Sequence, residues 1–247
     1  MLSINPAFHR HPGEAAMIGR LLAAFGELEL SVCMLTASAT NMFQAVMKAL
    51  YRLRMTSGRI DAADALLRPF CDQNGLITEY LTAMAMVRHS LKIRNQFAHC
   101  NWGDHEQHSG LFFADLQDSA EAETGFDFNW RHVDFSLLSL QEEYFAGTLE
   151  WLRFVDHELA VRQGRLQSHW WPKPPEQAQP PMHNPPEQHV PPWLTEDLKA
   201  LHVARARAAK GGAPTPTPAQ QALDKARAEK RAKRQSDRDQ TGKKAKH

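Results

Sequence analysis

Apolar residues recur at steps of three and four through the first hundred residues, and that spacing restricts the chain to packed helices. Ile18, Leu21, Phe25, Leu28, Val32 and Leu35 fall on one face of a helix of about five to seven turns, because a 3.6-residue repeat returns these positions to the same side. Such a stripe must be buried against other elements. Further helices are predicted at about Asn41 to Arg54 and from Ser57 to about Cys71, with Ser57 able to cap the start and Pro69 close to the end. Asn74-Gly75 punctuates the pattern, and Leu76 opens a fourth helix. Ile77, Tyr80, Met84, Val87 and Leu91 continue the stepping there, and extrapolation puts Arg94 and Ala98 on the inward face. A guanidinium in a core register is tolerable only beside a carboxylate, carbonyls or an anion, or where the core opens as a cleft.

After His99 the period changes. Leu111-Phe112-Phe113 and the alternation of Phe126, Phe128 and Trp130 predict two short strands, joined by the polar stretch QDSAEAETG. A long helix is then predicted from about Ser136 to Gln167, with Leu138, Phe145, Leu152 and Leu159 every seven residues, flanked by Tyr144 and Trp151. The expected fold class is therefore all-α: an antiparallel bundle of about five helices, with a small β-hairpin inserted before the last.

Composition divides the chain further. Nine prolines lie between Trp171 and Pro192, and a residue that fixes φ and lacks an amide donor excludes helix and central strand there. The expected organisation is a helical domain over 1–170, a proline-rich, extended linker over 171–193, and a tail over 194–247 that is largely disordered. From Thr195 onward there are 14 Lys and Arg against 6 Asp and Glu, leaving 15 against 22 before it, so an acidic body carries a basic tail. Cys33, Cys71 and Cys100 are an odd number without paired spacing, which argues against a disulfide framework. Neither an export signal nor a membrane span is expected, and the predicted location is the cytoplasm.

The fourth helix ends in Arg94-Asn95-Gln96-Phe97-Ala98-His99, which resembles the R-x4-H motif of the HEPN superfamily. The opening helix, with IGRLLAAFGELEL, is similar to the first helix of such domains, and the resemblance spans roughly residues 12–167. It implies a metal-independent endoribonuclease that brings two motifs together as a homodimer, or a non-catalytic module that binds nucleic acid, a nucleotide or a regulatory protein partner. Matched position by position, Arg94 and His99 are the motif residues and Asn95 the polar residue after the arginine. Imidazole can move a proton near neutral pH, and a guanidinium can hold a phosphate as charge develops on it. His99 is then the acid or base and Arg94 the phosphate clamp, acting on RNA with no cofactor. Five residues on a regular helix separate two side chains by about 140°, so convergence across a dimer is the simpler geometry.

Each residue also has a plainer explanation. Arg94 could form a structural ion pair with Glu29 on the flank of the first stripe, which would equally orient a catalytic arginine. His99 could simply terminate a helix, and Asn95 could cap or turn it. Glu27 points away from the stripe and should be solvated. His99, Cys100, His105 and His108 are metal-ligand types, but their spacing matches no closed zinc pattern. The tail adds salt-dependent attraction to a phosphate backbone, or serves only as a solubilising terminus.

Overall fold

The computed structural model of the chain describes residues 5–105, 108–116, 120, 129–185 and 200. The chain divides into a unit of Met1–Lys199 and one of Ala200–His247. The expected disordered tail, including all of the second unit after Ala200, lies outside the described residues.

The first unit is mostly helical with a small three-stranded antiparallel sheet. In chain order come α1 (Pro6–Arg10), α2 (Pro12–Ala39), α3 (Phe43–Arg52), α4 (Thr56–Gln73), α5 (Ile77–Ala98), β1 (Cys100–His105), β2 (His108–Asp115), β3 (Arg131–Val133) and α6 (Phe135–Arg162). Helix α2 is the hub. Its six-residue stripe is buried to the last member, and it packs against α3, α4, α5 and α6. An 18-residue window of α2 also has a mean hydropathy of 1.4, enough by length and composition to cross a membrane, and 44% of that window is buried within the chain. The heptad positions of α6, Leu138, Phe145, Leu152 and Leu159, are buried with Tyr144 and Trp151. The core thus joins the two longest helices to α5 between them.

Local chemistry sets most boundaries. Asn5 accepts a hydrogen bond from the amide of Ala7 and caps α1, a single short helix that the apolar spacing had not marked. Asp134 does the same for α6 through the Leu137 amide. Gly75 and Gly164, at φ +65° and +72°, close α4 and α6 in the left-handed region that glycine adopts without steric cost. The second turn ends α6 at Arg162, short of the expected Gln167. Arg162 then donates to the carbonyls of Asn74 and Gly75, tying the end of α6 to the start of α5, so the two helices run antiparallel. Ser57 does not cap α4; Met55 occupies that position with no side-chain hydrogen bond, and Pro69 is accommodated inside the helix.

The sheet departs from the predicted hairpin. Leu111–Phe113 is strand as expected, but its partner is β1, directly after the arginine–histidine motif, with Trp102 opposite Phe113 and Gly103 opposite Phe112. The expected second strand at Phe126 and Phe128 lies outside the described residues; among those described, β3 starts at Arg131, which pairs with Phe113. The sequence NWGDH offers one large apolar residue, so pairing with the buried β2, rather than its own periodicity, makes β1 a strand.

The described part of the proline-rich segment contains no helix, and it does not leave the body. From Trp171 it runs back along α5 and α6 to Asn184, whose amide donates to the carbonyl of His132 in an isolated antiparallel bridge. Trp171 and Met182 pack on the core, and Pro180 is buried.

Candidate functional site

The last turn of α5 is anchored from below by aromatic packing. The Phe97 ring lies 5.7 Å from Trp102 and 5.6 Å from Phe113, Trp102 and Phe113 are 5.4 Å apart, and Phe8 of α1 closes the group at 5.4 Å from Trp102. Such edge and tilted contacts fix ring orientation beyond simple burial. Ile93 and Phe97, not Arg94 and Ala98, therefore occupy the inward face. The extrapolated register slips by one residue, and the slip turns Arg94 to the flank, where it is half-buried, with Asn95 and His99 exposed.

Arg94 donates to the Asn95 side-chain oxygen at 3.1 Å, so these two motif residues are joined. His99 is the C-terminal cap of α5, with φ −127° and ψ 13°, and its ring makes no hydrogen bond or ion pair among the described residues. No hydrogen bond links Arg94 to His99. The helix terminates between their side chains, leaving both accessible at the same end of α5.

Glu29 does not support Arg94. It accepts from Arg59 at 2.6 Å, while Arg59 also donates to the carbonyls of Leu50 and Leu53 and lies 4.6 Å from the Tyr51 ring centre. Arg59 from α4 reaches Glu29 because α2 and α4 pack directly, and Arg94 makes no ion pair with Glu29. Glu27 is exposed, as expected.

Comparison of the chain with protein-family models, curated proteins and solved structures finds no match.

The histidine-rich stretch is reorganised by the sheet. His105 and His108 face each other across β1 and β2 with ring centres 5.9 Å apart, and Cys100 donates to the Gln96 carbonyl. Among the described residues no group of three or more His, Cys, Asp or Glu side chains is arranged to hold a metal ion. Asp104, at the irregularity between Gly103 and His105, pairs with Arg10, whose hydrogen bond holds the carboxyl below its ordinary range against a smaller opposing effect of burial.

Two polar groups escaped the sequence analysis. Asp64 is buried between α4 and α5, accepting from Tyr80 at 2.5 Å, Arg88 at 2.6 Å and Arg68 at 2.7 Å. Burial alone would raise its carboxyl, but these three donors outweigh it and hold it at about 2. An Asp at that spacing looks like any helix-surface carboxylate until Tyr80 and Arg88 arrive from α5.

The second group lines the α5–α6 face beneath the proline-rich segment. Gln96 donates to the Met182 carbonyl at 2.6 Å, Gln141 to that of Pro181 at 2.8 Å, and Trp151 to that of Pro175 at 3.1 Å. The His89 ring meets the Pro180 carbonyl at 2.9 Å and stands edge-on to Tyr144. Burial pushes the Tyr144 phenol up to about 12, with Gln179 pulling the other way. Although Gln179 is near enough to do so, the hydroxyl has no partner in good hydrogen-bonding geometry. Their sequence signal was polar residues in a core register, the same kind of signal that singled out Arg94.

Proposed function

We propose that the helical body is a HEPN-like domain that cleaves RNA without a metal ion, in the cytoplasm and as a homodimer, with His99 as acid or base and Arg94 as phosphate clamp. The observation that carries this reading is the accessibility of the motif: among the described residues the Arg94 side chain hydrogen-bonds only Asn95 and the His99 side chain makes no hydrogen bond or ion pair, at the end of a helix where Ile93, Gln96 and Phe97 are buried. A half-buried arginine with no carboxylate beside it leaves its charge for an external anion, and an exposed imidazole is free to exchange a proton with a bound substrate. Asn95 orients the Arg94 guanidinium.

Cleavage by the RNA's own 2′-hydroxyl needs a proton removed from that oxygen, attack on phosphorus, and a proton delivered to the departing 5′-oxygen. One imidazole can serve at either end of this sequence, and the guanidinium stabilises the extra charge on the non-bridging oxygens. The wide angle between the two side chains suits a C2 pair in which Arg94 of one copy works beside His99 of the other. Exposed Leu116, next to the residue paired with Cys100, and exposed Phe135 at the start of α6 lie at this end of the bundle and could be covered in such a pair.

The test is digestion of RNA by the purified chain in excess chelator. His99→Ala should lower the cleavage rate by about 10²–10⁴-fold and Arg94→Ala by about 10²–10³-fold, with helical content unchanged. Equal rates in both variants and the parent chain would end the nuclease reading. Binding of RNA with no turnover in the parent chain would make the body a non-catalytic module.

A further inference from the structure

Residues 171–184 form a strap across α5 and α6 whose residues meet that face in step. Strap numbers rise as α6 numbers fall: Pro175 meets Trp151, Gln177 meets Gly147, and Pro181 meets Gln141. Ten helical residues from Trp151 to Gln141 span about 15 Å, and six residues of polyproline II from Pro175 to Pro181 span about 19 Å. One extended segment can therefore satisfy both ends of the helix face without coiling or stretching. Gly147 lies directly under the strap: a Cβ there would stand 2.3 Å from the end of the flexible Gln177 side chain, which would have to move aside.

What the face recognises is mainly backbone. Trp151, Gln141, Gln96 and His89 all engage main-chain carbonyls, which a proline-rich chain presents free because it has no internal hydrogen bonds. Side-chain selection is added at one end, where Lys173 bonds Glu79 at 3.0 Å and lies 5.7 Å from the Trp151 ring centre. The strap lies over the face: residues 175–179 are exposed and only Pro180 is buried. Beneath it, the Gln141 side-chain oxygen is buried without a partner and the Tyr144 hydroxyl has only Gln179 close by, in poor geometry, so the face offers more hydrogen-bonding capacity than its present occupant uses.

We propose that the α5–α6 face is a receptor groove for polyproline-II segments, held closed in cis by Lys173–Met182, and that its partner in trans is a proline-rich segment of another protein with a cation directly before a Pro-Pro pair. The tether makes the strap a strong competitor, because a short linker supplies its ligand at an effective concentration in the millimolar range. An incoming segment therefore engages only when the strap is loosened or when several such segments act together.

The experiment uses the full chain and a fluorescent peptide of residues 172–184, PKPPEQAQPPMHN. In a Pro180→Gly/Pro181→Gly variant the strap is loosened while the groove is intact, and fluorescence anisotropy should show saturable peptide binding at least about tenfold tighter than in the parent chain. Adding Gly147→Leu should abolish it. A loosened variant that keeps its helical spectrum and cooperative melt yet takes up no peptide at millimolar concentration would overturn the proposal. Mass that doubles with concentration and reverts with Gly147→Leu would also overturn it, by making a second copy the occupant. Should the loosened variant fail to fold, the indole N–H of Trp151 in the parent chain decides. It should exchange with solvent at least about a hundredfold faster than the surrounding α6 amides, and exchange at the same rate as theirs would make the strap a permanent part of the core.

Discussion

Asp64 illustrates how a single carboxylate can hold two helices together. Its three donors come from Arg68 on its own helix and from Tyr80 and Arg88 on α5, so removing its charge takes the acceptor from the buried Tyr80 hydroxyl and from two solvent-facing guanidinium groups. Because the folded carboxyl titrates at about 2 against an ordinary 3.8, its contribution is present above the higher value and is lost as pH falls towards the lower. That difference corresponds to about 2 kcal/mol. Asp64→Asn should therefore destabilise the chain by about 2–4 kcal/mol at pH 7, with the gap between variant and parent closing below about pH 2, as urea titrations across pH would read. Arg94 shows the opposite economy. Among the described residues its guanidinium has one amide-oxygen partner and no carboxylate, which leaves its charge available to an external anion.

Among the elements, the sheet is where small chemical details have the largest effect on the motif. Strand β1 follows His99 directly, so the position of the last turn of α5 depends on β1 pairing with β2 and on Trp102 reaching Phe97. On the other side of β2, Gly110 has φ +88°, and a Cβ there would stand 2.5 Å from the Val133 carbonyl and 2.9 Å from the His132 ring. His132 itself bonds the Ser109 carbonyl and the Asn184 side chain, joining β2, β3 and the strap. Gly110→Ala should cost about 2 kcal/mol or more through left-handed strain and the clash, lowering the melting temperature by about 4–8 °C. Differential scanning calorimetry checks this, and an unchanged melt would mean that β3 moves freely.

On the scale of the whole molecule, charge is distributed against the direction that RNA binding by the body alone would favour. Residues 1–194 carry seven more acidic than basic groups, and the stretch from Thr195 carries eight more basic than acidic. A phosphate backbone should therefore gain much of its affinity from the tail through counterion release. Ending the chain at residue 193 should make the dependence of RNA affinity on salt shallower by at least about 2 in log–log slope, measured by filter binding from 50 to 200 mM salt (about the range over which such slopes are read). Binding that persists at moderate salt after this truncation assigns an RNA site to the body, and complete loss assigns binding to the tail.

The bundle was legible because burial of one helix face leaves a repeat in the sequence, and α2, α5 and α6 each carry it over many turns. The position of the motif at the end of α5 was legible for the same reason. The depth of Arg94 was not, since a one-residue slip in a 3.6-residue repeat moves a side chain by about 100°, and only the aromatic contacts of Phe97 choose between the two registers. Glu29 went to Arg59 because helix packing, which has no trace in local spacing, brought α4 to α2. Proline count excluded helix from residues 171–185, the described part of the proline-rich segment. Whether such a segment projects into solvent or lies on the body depends on donors from α5 and α6 far away in sequence, and tertiary structure alone brings these to its carbonyls.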